Sequence, residues 1–420
     1  MIAKQARLFI LGGLTVAVAS CSGGAPAPRS AAAPPAAAVA NIPANTPDFN
    51  GIAEKIAGPI VGVKERDLVV VRGDVRDIDL IEEITLAVSR RGANALQRVE
   101  REAAQRRYYE EVPARYDALR GLLDARLVDI FDVEIVVERE EDPSRFKDVA
   151  PARIATVANS LIAINQAKMK RGVRRVYLGN WLYPTTAMAK MYALTMEQLT
   201  ATFWGGVNVD YVALQATGEV VRSALASGKE VRITHPNGTD LKVSIEARPA
   251  SVSDGVISAE DVKKGGLATE VWLPAGEVYV TPVPGTAEGK LVIDQTFYTG
   301  EDINDLTIVF KAGKAESLTA RPSPAFERFM VAYEAADAGK KDFAIIDLGI
   351  NPNVKDVPGS KLRAWMAAGT ISMGIGENSW AGGSNTVPFG AFWHLLGATL
   401  TVDGKPLVKD GSLAVSGSKG

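Results

Sequence analysis

Histidine and cysteine, the side chains that most often bind transition metals or act as nucleophiles, are scarce in this 420-residue chain. It contains two histidines, His235 and His394, and one cysteine, Cys21. A histidine-rich metal cluster is therefore excluded, and so are an intramolecular disulfide and a cysteine-based zinc site. Few groups remain for histidine-based acid–base catalysis.

The cysteine lies at the end of a sequence typical of a bacterial export signal. Lys4 and Arg7 precede an uncharged apolar stretch, residues 8–18, that is too short to span a bilayer as a helix. The next residues, Ala19-Ser20-Cys21, resemble a lipobox, in which a cysteine becomes the lipidated mature N-terminus. The alternative is an ordinary small-residue cleavage site. We predict a signal peptide over 1–20 and lipidation at Cys21, which would anchor the protein to a membrane.

A tether is predicted after the cysteine, over 21–48. Residues 22–47 contain six prolines and many alanines, so they cannot bury enough apolar surface to fold. Ser22 after the lipidated cysteine favours the outer membrane by resemblance to sorted lipoproteins. The predicted location is the bacterial cell envelope, with the folded part, from about Phe49 onward, facing the periplasm.

Composition places the rest of the chain among ordinary globular proteins. Hydrophobic residues make up 47% and charged residues 23%, and the length suggests two or three domains. The formal net charge of −2 argues against a nucleic-acid-binding protein, which normally has a basic excess.

The first half of the folded part alternates between strand and helix patterns, and an N-terminal α/β domain is predicted over 49–205. The pattern indicates strands at 67–71, 130–137 and 173–178 and helices at 77–91 and 149–170. No glycine-rich phosphate motif follows the first strand, which argues against a dinucleotide site. The fold class is therefore α/β (α+β), beginning with a βαβ domain.

The second half, 206–420, is predicted to be a strand-rich mixed domain. Thr195 and Gln198 form a capping-box pattern that opens one helix, and Asp210 precedes a second helix. Beyond Glu230 the sequence changes to short strand patterns separated by glycine and proline turns.

Several segments, taken in their order along the chain, resemble the aminopeptidase T family of bacterial and archaeal metallo-aminopeptidases. Two of them are Gly238-Thr239-Asp240-Leu241 and Pro274-Ala275-Gly276-Glu277-Val278. The others are residues 184–189, 194–197, 209–211, 374–378, 382–383 and 402–404. The resemblance covers about 60–420, and the ordered set is more specific than any one motif.

The resemblance implies a two-domain metallo-aminopeptidase that removes N-terminal residues from peptides and forms a homodimer. It also implies a dinuclear site for divalent metals of the zinc, cobalt or manganese type. Two adjacent cations polarise a peptide carbonyl and lower the pKa of a bridging water. The family's ligands are two glutamates, two histidines and an aspartate, with a tyrosine nearby.

Two carboxylates match the family's glutamate positions. Glu277 occupies the first position within its motif, and Asp347, one methylene shorter, stands at the second. Each has a structural alternative: Glu277 as an exposed charge at a strand end, and Asp347 as a cap on the turn at residues 351–353.

The remaining ligand positions depart from the family pattern. Ser372 stands where the first histidine is expected, and the stretch 383–402, where the family's His-x-Asp pair should lie, contains no aspartate. His394 could replace the second histidine, but Leu396 follows where the aspartate belongs. The alternative for His394 is a core histidine packed with Phe392 and Trp393.

Three functions stay open from the sequence. The first is an aminopeptidase with an altered or single-metal site that uses Glu277, Asp347 and His394. The second is a non-catalytic relative that binds peptides or a partner protein. The third is the same fold with a different chemistry.

Overall fold

The computed structural model describes residues 47–415, so Cys21, the signal peptide and nearly all of the tether lie outside the described residues. Three β-sheets form the framework, one of them parallel and two antiparallel, with helices packed against them. The predicted α/β class is confirmed. Within the described range, no helix is both long and apolar enough to cross a membrane.

The N-terminal sheet is parallel and has five strands in the order β2-β1-β3-β4-β8. Its strands are β1 (Leu68–Asp74), β2 (Asn94–Glu100), β3 (Val133–Val137), β4 (Arg174–Leu178) and β8 (Glu270–Leu273). The accompanying helices are α1 (Phe49–Lys55), α2 (Ile78–Ser89), α3 (Glu102–Glu111), α4 (Leu122–Leu127) and α5 (Pro151–Arg171).

One face of this sheet is apolar because alternate residues of its strands are β-branched or leucine. Val71 of β1 and Ile135 of β3 are fully buried there. Helix α2 packs on this face through Ile81, Ile84 and Val88, the helical spacing seen in the sequence. The predicted strand–helix alternation is therefore confirmed, although β2, α3 and α4 were not predicted.

A further group of helices links the parallel sheet to the antiparallel ones. These are α6 (Thr186–Met191), α7 (Met196–Val207) and α8 (Tyr211–Ser227), followed later in the chain by α9 (Ala259–Lys264) and α10 (Pro324–Ala335). The capping box at Thr195 and Gln198 is confirmed at the start of α7. The Asp210 carboxylate caps α8 by accepting hydrogen bonds from the amides of Val212 and Ala213.

Two antiparallel sheets make up the rest of the molecule. The larger consists of β5 (Glu230–Thr234), β6 (Asp240–Ser244), β10 (Glu288–Tyr298), β11 (Glu301–Lys311), β12 (Lys314–Thr319), β16 (Thr399–Val402), β17 (Lys405–Lys409) and β18 (Ser412–Leu413). The smaller, in the order β15-β14-β13-β9-β7, consists of β7 (Ala250–Ser253), β9 (Glu277–Val280), β13 (Phe343–Gly349), β14 (Ile371–Gly376) and β15 (Gly390–Leu395).

The chain passes from the parallel sheet to the smaller antiparallel sheet over a very short distance. Strand β8 ends at Leu273, and β9 begins at Glu277. Helix α8 packs on β7 and β9, and the apolar face of the smaller sheet includes Val278, Leu348 and Ile371. The opposite face of that sheet therefore lies toward the ends of the parallel strands.

Candidate functional site

Polar side chains form a row across the smaller antiparallel sheet. Tyr279, Asp347, Ser372 and His394 are direct cross-strand partners on β9, β13, β14 and β15. Cross-strand partners have Cβ atoms about 4.5–5.5 Å apart on the same face of a sheet. We call these four residues the polar row.

Glu277 lies beside the polar row because it precedes Tyr279 by two residues, and side chains two apart share one face of a strand. Its side chain is largely enclosed, since the residue is 7% exposed. Within residues 47–415 we find no hydrogen-bond or ion-pair partner for its carboxylate. A buried carboxylate without a partner is costly unless a cation or a donor reaches it.

The last two residues of the polar row, on β14 and β15, are hydrogen-bonded to each other. Nδ1 of His394 lies 2.8 Å from Oγ of Ser372, and the His394 ring centroid is 6.0 Å from that of Trp365. Because one imidazole nitrogen is occupied by the serine hydroxyl, that nitrogen is not free to bind a metal ion.

A small cavity of about 20 Å³ lies over this face of the sheet. Its walls come from strands of the smaller sheet, from loops after them and from the loop after β4. They are Asn180, Trp181, Glu277, Ile345, Asp347, Trp365, Ser372, Trp380, Phe392 and His394. The volume is sufficient for one water-sized group, which needs roughly 10–15 Å³. We call this space the site cavity.

The loop after β4 closes the site cavity from the side of the parallel sheet. Asn180 and Trp181 both have positive φ angles, 43° and 64°, which non-glycine residues seldom adopt. Nδ2 of Asn180 donates a hydrogen bond of 2.8 Å to the carbonyl of Pro274, in the link between β8 and β9. This contact joins the loop after β4 to the link through which the chain passes from β8 of the parallel sheet to β9 of the smaller antiparallel sheet.

Tyr279 is a neutral hydrogen-bonding group at this site. Burial, together with the charges of Glu277 and Asp347, raises the pKa of Tyr279 to about 12. The Ser251 side chain hydrogen-bonds to the phenol and opposes this rise. The phenol therefore stays protonated at neutral pH.

The structure brings together all three residues named as metal ligands from the sequence. Glu277 is buried and not an exposed charge, and Asp347 lies within β13, while the turn amide of Asn353 is bound by Oδ1 of Asn351. His394 shares its face with Phe392 and not with Trp393, because neighbours in a strand alternate. Their role as metal ligands stays a prediction.

Sequence reasoning did not identify Tyr279 or the three cavity tryptophans. Tyr279 follows Glu277 by two positions, so strand alternation alone could have placed both on one face. Trp181, Trp365 and Trp380 come from loops that are far apart in the sequence, and no local pattern marks them. The other histidine, His235, lies at a turn, where its Nδ1 accepts a hydrogen bond of 3.1 Å from the Asn237 amide.

The fold and the sequence define a family. A sequence family described as "Thermophilic metalloprotease (M29)" matches residues 47–337. The chain therefore belongs to the thermophilic metalloprotease (M29) family, and the resemblance to aminopeptidase T is confirmed. No curated protein is similar enough to this sequence to count as a match.

Two solved structures share the fold. One is wild-type AmpT from Thermus thermophilus, with a TM-score of 0.66 and 15% identity over 87% of this chain and 99% of the other. The other is 2,5-dihydroxypyridine dioxygenase from Pseudomonas putida KT2440, with a TM-score of 0.57 and 15% identity over 88% of this chain and 98% of the other. At this identity the likeness concerns the fold alone.

Of the five ligands that the resemblance implies for a dinuclear centre, the site cavity offers two carboxylates and one imidazole. In residues 47–415 no group of three or more histidine, cysteine, aspartate or glutamate side chains is arranged to hold a metal ion. Ser372, in the middle of the polar row, contributes a hydroxyl, whereas zinc is bound by imidazole, thiolate and carboxylate. The serine hydroxyl and His394 also bind each other.

Proposed function

We propose that this chain is a peptide-binding member of the metalloprotease family that recognises a free amino terminus without hydrolysing the peptide. It acts from the bacterial cell envelope, anchored through lipidated Cys21 and facing the periplasm. Peptides are the ligand class that membership in a protease family supports. The homodimer implied by the resemblance stays a prediction.

Glu277 carries the proposal. The residue is 7% exposed, it borders a cavity of single-ammonium size, and its carboxylate forms no hydrogen bond or ion pair with another side chain within residues 47–415. A protonated amino terminus is a compact cation with three donors, so it would supply both the charge and the hydrogen bonds that a buried carboxylate needs. Asp347 adds a second carboxylate at the same cavity.

Aromatic walls favour a cation over a neutral occupant. Trp181, Trp365 and Trp380 all line the site cavity. Among aromatic side chains, tryptophan interacts most strongly with cations through its ring face, by about 0.5–2 kcal/mol. A cavity lined by two carboxylates and three indoles thus favours an ammonium group.

The donor set argues against hydrolysis as the main activity. Ser372 in place of a histidine and the absence of an aspartate from the sequence 383–402 leave too few ligands for two ions. The fold does not require peptide hydrolysis, since it is shared by a protein described as a dioxygenase.

A hydrolytic aminopeptidase with an altered site is the second candidate. The observation in its favour is that Glu277, Asp347 and His394 all border one cavity. For hydrolysis, Nε2 of His394 and both carboxylates would have to converge on one ion, while Nδ1 keeps its hydrogen bond to Ser372, as the second nitrogen of a metal-binding histidine commonly does.

Replacing Glu277 by glutamine is expected to weaken the binding of a free peptide such as Leu-Gly-Gly. Loss of a charge-assisted contact of about 1.5–3 kcal/mol corresponds to a dissociation constant roughly ten- to a hundredfold higher. Isothermal titration calorimetry on the purified full-length protein measures this change. N-acetylated Leu-Gly-Gly should bind the original protein as weakly as the free peptide binds the Glu277→Gln variant.

Glu316→Gln is the matched control, because Glu316 is an exposed residue of β12. It should leave the affinity unchanged. Equal affinity for the free and acetylated peptides, together with an unaffected Glu277→Gln variant, would contradict recognition of the amino terminus.

A further inference from the structure

A much larger cleft, of about 840 Å³, lies on the other face of the parallel sheet. This face is opposite to the one that packs on α2, and its cross-strand neighbours Arg72, Val136, Tyr177 and Trp272 form part of the cleft floor. Helix α5 provides one wall through residues such as Leu161 and Asn165. The volume is in the range typical of sites for small organic ligands, about 300–1,000 Å³.

The charged groups at the bottom of the cleft neutralise one another. The Glu134 carboxylate accepts hydrogen bonds of 2.6 Å from Nζ of Lys168 and 3.0 Å from Nη1 of Arg72. Glu134 and Lys168 are 2% and 4% exposed, yet both line the cleft. Near the cleft edge, Arg145 is ion-paired with Glu102 and Glu140.

Paired charges make the cleft suitable for a neutral polar ligand. A ligand with a large net charge would have to break one of these pairs to find a partner, and breaking a buried pair is costly. A ligand with alternating neutral donors and acceptors can replace the water on these groups and leave the pairs intact. The main chain of an extended peptide has this character.

Aromatic rings on the floor provide apolar surface for side chains of such a ligand. The rings of Tyr177 and Trp272 stack with centroids 4.4 Å apart and an interplanar angle of 15°. Nε1 of Trp272 donates to the Glu270 carboxylate, which fixes the orientation of the indole. The stacked pair is only partly buried.

The cleft and the site cavity meet at the carboxyl ends of β4 and β8. Trp181, three residues beyond β4, lines both spaces. Trp272 of β8 lies on the cleft floor, and Glu277, five residues later, borders the site cavity. The crevice outside the carboxyl ends of parallel strands is the usual ligand site of open α/β sheets.

We propose that this cleft binds the main chain of an extended peptide whose amino terminus occupies the site cavity. The inference rests on the proposed function for the position of the amino group. It adds a second site, on the parallel sheet, that makes affinity depend on peptide length. Trp181, which lines both spaces, then lies between the first residue of the peptide in the site cavity and the following residues in the cleft.

Filling the cleft tests this inference. Asn165→Trp places a large ring in the cleft from α5, and Leu161→Trp does so one turn earlier on the same helix face. Gln166→Trp is the matched control, because Gln166 is exposed at the adjacent position of the same helix. Calorimetry measures the affinity of three ligands: leucinamide, a hexapeptide of Leu followed by five Gly, and the N-acetylated form of that hexapeptide. Comparison of leucinamide with the free hexapeptide gives the dependence of affinity on length.

We expect the hexapeptide to bind the original protein about tenfold more tightly than leucinamide, and this gain to disappear in both cleft-filling variants but not in Gln166→Trp. A gain that survives both cleft-filling variants would overturn the cleft inference, as would the absence of any gain. If acetylation has no effect while the cleft-filling variants still weaken the hexapeptide, the proposed amino-terminal recognition fails and the cleft site stands.

Discussion

Replacing Glu134 by alanine is expected to lower the free energy of unfolding by about 3–5 kcal/mol, because it leaves the Lys168 ammonium buried without its partner. Nζ of Lys168 lies 2.6 Å from the Glu134 carboxylate, and both residues are almost fully buried. Arg72 loses one partner but keeps Asp124 at 3.7 Å. Urea denaturation followed by circular dichroism measures the loss.

The loss of stability in the Glu134→Ala variant should become smaller as the pH rises. Burial lowers the pKa of Lys168, and the charge of Glu134 opposes this effect. Without Glu134 the folded-state pKa of the lysine falls further below its value in the unfolded chain, so stability is recovered as the pH rises through and above that folded-state value.

Two variants serve as controls for this prediction. The double replacement Glu134→Leu with Lys168→Met removes both charges and should cost less than Glu134→Ala alone. Asp240→Ala removes the exposed partner of Arg232 and should change stability by only about 0–1 kcal/mol. A Glu134→Ala variant as stable as Asp240→Ala would contradict the importance of the buried pair.

Replacing Cys21 by serine is expected to move the protein from the membrane fraction to the soluble fraction. A bacterial lipoprotein cysteine carries several acyl chains, and each buried methylene contributes about 0.8 kcal/mol to membrane binding. Serine cannot form the thioether that holds these chains. Fractionation of cells with immunodetection gives the distribution, and mass spectrometry of the mature N-terminus gives the modification.

Ser30→Ala, in the tether, is the control and should remain with the membrane. Original protein that is already soluble and carries no lipid would show that the N-terminal segment is an ordinary cleavage signal.

Elements with a strong local pattern were predictable from the sequence. The spacing of Ile81, Ile84 and Val88 predicted α2, and the Thr195–Gln198 capping box predicted the start of α7. Strand β2 was missed because most of its residues are exposed and the pattern lacks a buried face. The pairing of β8 with β4 joins segments about ninety residues apart, so no local signal could indicate it.

The candidate site was predictable only in part. The family motif identified Glu277, but the position of the site depends on the register that aligns Asp347, Ser372 and His394 across three strands. Register is set by pairing in three dimensions, and a shift of one residue would put these side chains on the opposite face. The hydrogen bond between Ser372 and His394 follows from this register.

Incubating the purified full-length protein with Leu-Gly-Gly and added zinc, cobalt or manganese tests the central claim most directly. Mass spectrometry of the peptide and elemental analysis of the protein after gel filtration are made on the same sample. We expect the peptide to remain intact and the bound metal to stay well below one ion per chain, because Ser372 offers a hydroxyl in place of an imidazole and because, within residues 47–415, no group of three ligating side chains is arranged around a metal ion. Release of leucine at a rate that rises with bound metal, with two ions retained per chain, would contradict the account.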